Sequence, residues 1–128
     1  MSRELVSSGT YLEPEIGFSR AVRVGQFIAV AGTAPIAATG GTAAPGDVYG
    51  QTIRCLEIIS DAINEAGGTI QQVIRTRVML LDISKWRDAA RAHGEFFREI
   101  RPACTFVQVS GFIDAAWLVE MEADCVLE

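Results

Sequence analysis

Residues 118–125 read Leu118-Val119-Glu120-Met121-Glu122-Ala123-Asp124-Cys125. In a β-strand successive side chains point to opposite faces. Val119, Met121, Ala123 and Cys125 therefore share one face, and Leu118, Glu120, Glu122 and Asp124 share the other. The segment is predicted to be a strand, Trp117 to Leu127, in a sheet with one apolar face to be covered. The acidic face is left to solvent or to another subunit, and periodicity does not choose between them.

The cover for the apolar face lies upstream. Asp47 is placed to cap a helix from Val48 to Ala66, whose Cys55, Leu56, Ile59, Ala62, Ile63 and Ala66 repeat with a helical period. Gly67-Gly68 ends it, glycine being the residue that tolerates the left-handed position after a helix. Ser84 is placed to cap a second helix from Lys85 to Ile100, with Trp86, Ala89, Ala90, His93, Phe96, Phe97 and Ile100 as its apolar stripe. Pro102 prevents continuation. Strands are expected at Ser19–Val24, Phe27–Ala31, Val73–Leu81 and Cys104–Ser110, with Gly25-Gln26 as a hairpin turn and a short helical turn at residues 69–72. Residues 1–17, punctuated by Pro14 and Gly17, read as irregular, and residues 37–46 as a flexible loop. The order is β-β-α-β-α-β-β: an α+β chain with one sheet and two helices on one face. Residues 1–128 form a single domain by length.

The net charge is −5, and the eleven Lys and Arg residues are scattered. A nucleic-acid binder shows a basic face, so neither nucleic acid nor an anionic membrane is expected as a partner. No apolar run reaches the length of a membrane span. Three cysteines, Cys55, Cys104 and Cys125, fit free thiols in a reducing compartment better than a disulfide framework. The amino terminus shows no apolar signal core, and the cytoplasm is the expected location.

Four ordered stretches resemble the RidA (YjgF/YER057c) family of small imine deaminases. Phe18-Ser19-Arg20-Ala21-Val22-Arg23-Val24-Gly25 is similar to that family's "YSQAVRVG". Val30-Ala31-Gly32-Thr33-Ala34-Pro35 is similar to "VSGQIP". Glu65-Ala66-Gly67-Gly68-Thr69 with Val73 is similar to "EAGGSLDDVV". Arg101-Pro102-Ala103-Cys104-Thr105, with Val119-Glu120-Met121-Glu122-Ala123 beyond it, is similar to "PARSxVEV…vEIEA". The resemblance implies a chorismate-mutase-like fold, a homotrimer, and small-molecule clefts between subunits. In active members the cleft hydrolyses 2-imino acids to 2-keto acids and ammonia without metal or organic cofactor. An arginine binds the substrate carboxylate, while backbone groups and a carboxylate position the attacking water. Some relatives are labelled endoribonucleases; the acidic charge and single histidine argue against that activity here.

The chain departs from the pattern at the matching positions. Cys104 stands where the arginine stands, Phe18 replaces the tyrosine, Ala31 the serine, Thr33 the glutamine, and Ala90 an asparagine. Gly32 and Glu120 remain. A guanidinium fork holds a carboxylate with two parallel hydrogen bonds, which a thiol does not. Losing one partner of a buried charge pair typically costs about 2–5 kcal/mol. The expected function is a trimer with a small-molecule cleft and little ordinary 2-imino acid deaminase activity. The alternatives are a Rid-type hydrolase of altered specificity and a non-catalytic scaffold or chaperone-like trimer.

Glu120 and Cys104 are the catalytic candidates, and Phe18, Ala31, Gly32, Thr33, Ala90, His93, Cys104, Phe106 and Glu120 the ligand-binding ones. Glu120 is favoured because it takes the carboxylate position. Cys104 as a nucleophile requires a lowered thiol pKa; a small residue filling the arginine's space is the plainer reading. His93 is the one histidine, so a multi-histidine metal site is excluded, and it reads as a packed histidine or as a cleft acid/base. Glu122 and Asp124 share Glu120's face, but three carboxylates along a strand span too far for one ion, and no metal is expected. Arg77 is a possible surrogate cation, with an ordinary salt bridge the plainer reading. Phe106, Phe112 and Trp117 fit core packing as well as a ligand wall.

Overall fold

The strand read first from the sequence is the middle of the molecule. The structure is a computed structural model and describes residues 2–128. Its strands are β1 (Arg3–Val6), β2 (Ala21–Val24), β3 (Phe27–Thr33), β4 (Val73–Leu80), β5 (Ala103–Gln108) and β6 (Val119–Val126). They form one six-stranded sheet in the order β1-β2-β3-β6-β4-β5. β6 is antiparallel to both β3 and β4, whereas β4 and β5 run parallel. Parallel neighbours require a crossover, supplied between β4 and β5 by α3 (Trp86–Phe97). α2 (Val48–Glu65) makes the other crossover, from β3 to β4. The architecture is α+β, one mixed sheet with the helices packed on one face.

The alternation in β6 holds as read. Val119, Met121, Ala123 and Cys125 are fully buried, and the residues between them are half-buried. Against them packs the α2 stripe of Cys55, Leu56, Ile59, Ala62 and Ile63, also buried. Each fully buried Leu or Ile there contributes roughly 1.5–3 kcal/mol. Gly67 follows α2 in the left-handed region, at φ 95°. The Arg23 guanidinium reaches from β2 to donate to the Ala66 carbonyl at 2.8 Å, placing a cation at the negative end of the helix. In the hairpin, Val24 pairs with Phe27 across Gly25-Gln26, with Gly25 at φ 61°.

Several expectations need correction. Residues 1–17 are not irregular throughout: they contain β1 and a short helix, α1 (Leu12–Ile16). β1 gains its backbone bonds from β2, with Leu5 opposite Val22, a non-local pairing that a four-residue run does not signal. Pro14 lies in the first turn of α1, where proline removes no helical hydrogen bond. The element order is therefore β-α-β-β-α-β-α-β-β. Asp47 precedes α2, but its side chain makes no capping bond. Ser84 does not cap α3; it sits in a 3-10 turn, Ile83–Lys85, where Asp82 accepts from the Ser84 N–H at 3.0 Å and hydroxyl at 2.7 Å. α3 starts at Trp86, ends at Phe97, and leaves Trp86 41% exposed beside Arg87 rather than in the stripe. No helix among the described residues is long and apolar enough to cross a membrane.

The sheet face opposite the helices carries Leu5, Val24, Phe27 and Val107, each exposed. Beside them Arg77 reaches both Glu122 at 3.4 Å and Asp124 at 3.3 Å. Arg77 is thus engaged in ordinary, partly exposed ion pairs.

Candidate functional site

Two local features bring Glu120 against the backbone of β3. The β3–β6 register shifts between Val30 and Thr33, a bulge that displaces Ala31 and Gly32 from regular pairing. Gly32 then leaves room for the Glu120 side chain: a Cβ on Gly32 would lie 3.2 Å from Glu120 Oε1. Phe18, Arg20, Ala31, Gly32, Trp117 and Glu120 line a cavity of about 180 Å³. Burial raises the Glu120 pKa; nearby Arg20 opposes that shift and Glu122 adds to it. A carboxyl so placed holds its proton closer to neutral pH, which suits proton transfer or the orientation of a water.

Arg20 is the functional-looking residue that the sequence reading missed. Only 5% of it is exposed. Its Nη1 donates to the Gly32 carbonyl at 2.7 Å and to Thr33 Oγ1 at 2.9 Å, and the Thr33 hydroxyl donates on to the Ala31 carbonyl at 2.8 Å. The guanidinium lies 5.3 Å from the Phe18 ring centroid. Burial lowers the Arg20 pKa, while Glu13 and Glu120 act to raise it. Glu13 is itself buried, accepting from the Ser8 N–H at 3.0 Å and hydroxyl at 2.8 Å. Burial pushes its carboxyl up, but those bonds and Arg20 outweigh burial and hold it below the usual range. The signal was present in the sequence: Arg20 stands where "YSQAVRVG" has glutamine. A charged residue at a strand entrance reads as solvated, and this one is not.

The remaining candidates gather elsewhere. Cys104 pairs with Thr76 in the β4–β5 register, so its side chain takes the helix-covered side of the sheet. It is exposed at the sheet edge and unbridged. Thr76 Oγ1 is 2.8 Å from His93 Nε2 on α3. The His93 ring lies 4.6 Å from that of Phe97 and 6.3 Å from that of Phe106, and burial lowers its pKa. Ala90 precedes it by one turn and is half-buried. Phe18, Ala31, Gly32 and Glu120 thus share a cavity with Thr33 supporting it through Arg20, whereas Ala90, His93, Cys104 and Phe106 lie at the β5 edge. One chain does not bring the two groups together. Among the described residues, no three His, Cys, Asp or Glu side chains are grouped to hold a metal.

The family model described as Endoribonuclease L-PSP matches residues 9–127. A RutC family protein of Pyrococcus abyssi is 34% identical over 123 residues, covering 96% of each chain. A protein of Acinetobacter baylyi named 3-aminoacrylate deaminase RutC is 26% identical over 121 residues, 94% of this chain and 95% of its own. The crystal structure of Rv2704 from Mycobacterium tuberculosis, described as a member of the YjgF/YER057c/UK114 family, superposes with a TM-score of 0.89. It is 40% identical and covers 98% of this chain and 100% of its own. The matched model, the relatives and the superposition agree: the chain belongs to the YjgF/YER057c/UK114 (Rid) family, whose model carries the description Endoribonuclease L-PSP.

Proposed function

We propose that this chain is a Rid-type homotrimer that binds a small molecule where the Glu120 cavity of one copy meets the Cys104 edge of another. Ordinary hydrolysis of 2-imino acids is absent or weak. The carrying observation is the half-buried Glu120 carboxyl seated against Gly32, its pKa raised by burial. The exposed apolar residues Leu5, Val24, Phe27 and Val107 support the trimer, since an uncovered face of that kind is expected to meet another surface. Cys104 argues for lost activity, because a thiol gives a substrate carboxylate no cationic fork. The cytoplasm, where Cys55, Cys104 and Cys125 stay thiols, is the compartment that fits.

The test is to generate 2-iminopropanoate in situ and follow its disappearance. A rate no higher than without protein supports the reading, and clear acceleration overturns it. Cys104→Arg then restores measurable hydrolysis if the clamp is what is missing.

A second reading, a hydrolase for an imine or enamine without a clamped carboxylate, is favoured by Glu120 itself. Such a hydrolysis adds water to the imine carbon, moves a proton to nitrogen, and expels ammonia as the carbonyl forms. A carboxyl with a raised pKa can relay those protons. The Acinetobacter baylyi relative named a deaminase lends this reading its precedent. Ammonia release from a panel of uncharged imines separates the two.

A further inference from the structure

A second cavity, of about 400 Å³, opens between residues 8–11, the 34–40 loop and the middle of α2. Its volume falls within the ordinary range for small ligands, roughly 300–1,000 Å³. Two guanidiniums, those of Arg20 and Arg54, line it, and no Asp or Glu does. That is unusual in a chain of net charge −5. Ser8, Thr10, Tyr11 and Thr33 add hydroxyls to the lining, and Ile36 and Ile58 add aliphatic surface.

Both guanidiniums are held in place by backbone carbonyls. Arg54 Nε donates to the Ile36 carbonyl at 2.7 Å, and its Nη1 forms a partly exposed ion pair with Glu57 at 3.3 Å, of the kind that contributes little. Arg20 is fixed through Nη1 to Gly32 and Thr33. Its Nε is buried without a hydrogen-bond partner, and no carboxylate among the described residues forms an ion pair with it. Buried charges in proteins are normally paired. A desolvated guanidinium whose Nε lacks a partner and whose charge is balanced only at longer range by Glu13 and Glu120, beside a second guanidinium and several hydroxyls in one concavity, is an arrangement complementary to an anion.

We propose that this cavity binds a small organic anion, a carboxylate or a phosphate monoester with a compact apolar body, through Arg20 and Arg54. The anion is held between the two guanidiniums, and its body lies against Ile36 and Ile58. The site adjoins the Glu120 cavity and shares with it a wall of Thr10, Arg20, Ala34 and Ile36; Arg54 and Ile58 line only the first, Glu120 and Phe18 only the second.

The test is an NMR titration of the isotopically labelled protein with benzoate, phenyl phosphate and the neutral benzamide. Saturable shifts of amides in residues 8–11 and 34–40 are expected with an anion and not with benzamide. Saturation by benzoate alone assigns a carboxylate site, and by phenyl phosphate alone a phosphate site. Arg54→Gln removes one charge-assisted partner and is expected to weaken binding roughly ten-fold or more. Ala38→Asp, which adds a carboxylate to the rim while leaving both arginines intact, is expected to do the same. The proposal is overturned if neither anion saturates below roughly 10 mM, if benzamide binds as tightly as benzoate, or if both variants bind with unchanged affinity. None of those results touches the Glu120 reading, which is judged by imine hydrolysis.

Discussion

The carboxylate of Glu120 rests over the α-carbon of Gly32, 3.2 Å from where a side-chain carbon would begin. Gly32→Ala forces the carboxylate to move by a few tenths of an ångström. Gly32 is not in the left-handed region, so the backbone accepts alanine without strain. The expected outcome is a stability loss of about 1 kcal/mol or less, with a changed Glu120 titration curve by carboxyl-carbon NMR. A melting curve and that titration, measured together, check it; an unaltered curve would show that the close approach does not set the carboxyl's environment.

Glu120→Gln should raise stability at neutral pH. Burial raises the folded-state pKa of Glu120, so ionisation is less favourable in the folded protein than in the unfolded chain. The stability linked to the protonated carboxyl is fully present below the unfolded pKa of about 4.3. It is lost as pH rises through the folded value. Glutamine escapes that loss. Denaturant melts at pH 7 should favour the variant, and the difference should vanish near pH 4.

His93 acts in the opposite sense. Burial depresses its folded pKa, so its contribution is present above the unfolded value of about 6.5 and is lost as pH falls through the lower folded value. Thr76→Val leaves His93 Nε2 without its 2.8 Å partner and is expected to cost about 1–3 kcal/mol. Stability measured between pH 7 and pH 5 should decline in the parent protein, and the decline should be lessened in His93→Phe.

Phe27→Glu tests the open face. Phe27 is 45% exposed at one end of the sheet, so a charge there costs the isolated fold little. In the proposed trimer that charge is placed in a subunit contact. Sedimentation of the variant is expected near 13.8 kDa, against three times that mass for the parent. A parent that itself sediments as a monomer rules out the shared cleft.

The parts legible in the sequence are those whose pattern repeats locally. β6 alternates for eight residues and α2 carries a buried stripe over five turns of helix, so both were readable with their faces assigned. β1 has four residues and no pattern of its own, and the pairing that makes it a strand lies some twenty residues away. Ser84 looked like a cap because serine often is one, but Asp82 made the bonds. Glu120 and Gly32 were legible as a pair through the family's motifs. Arg20 was not, because its burial depends on Glu13 in α1 and on Gly32 and Thr33 in β3, two segments apart from its own. Nor does a list of candidate positions reveal that Cys104 and Glu120 lie on opposite faces of the sheet; β-strand register decides that.

The central place of β6 also sets the timetable of folding. β3 and β4 do not touch each other as neighbours; the strand between them is the ninth element in chain order. Phe27 finds its partner Val126 across almost a hundred residues, the kind of distant closure that slows folding. On the ribosome, the growing chain must carry two unfinished half-sheets, each with an unpaired inner edge, until the last strand emerges. Unpaired edges invite aggregation. The same insertion delivers Glu120 to Gly32, so the cavity takes shape only when this strand is in place.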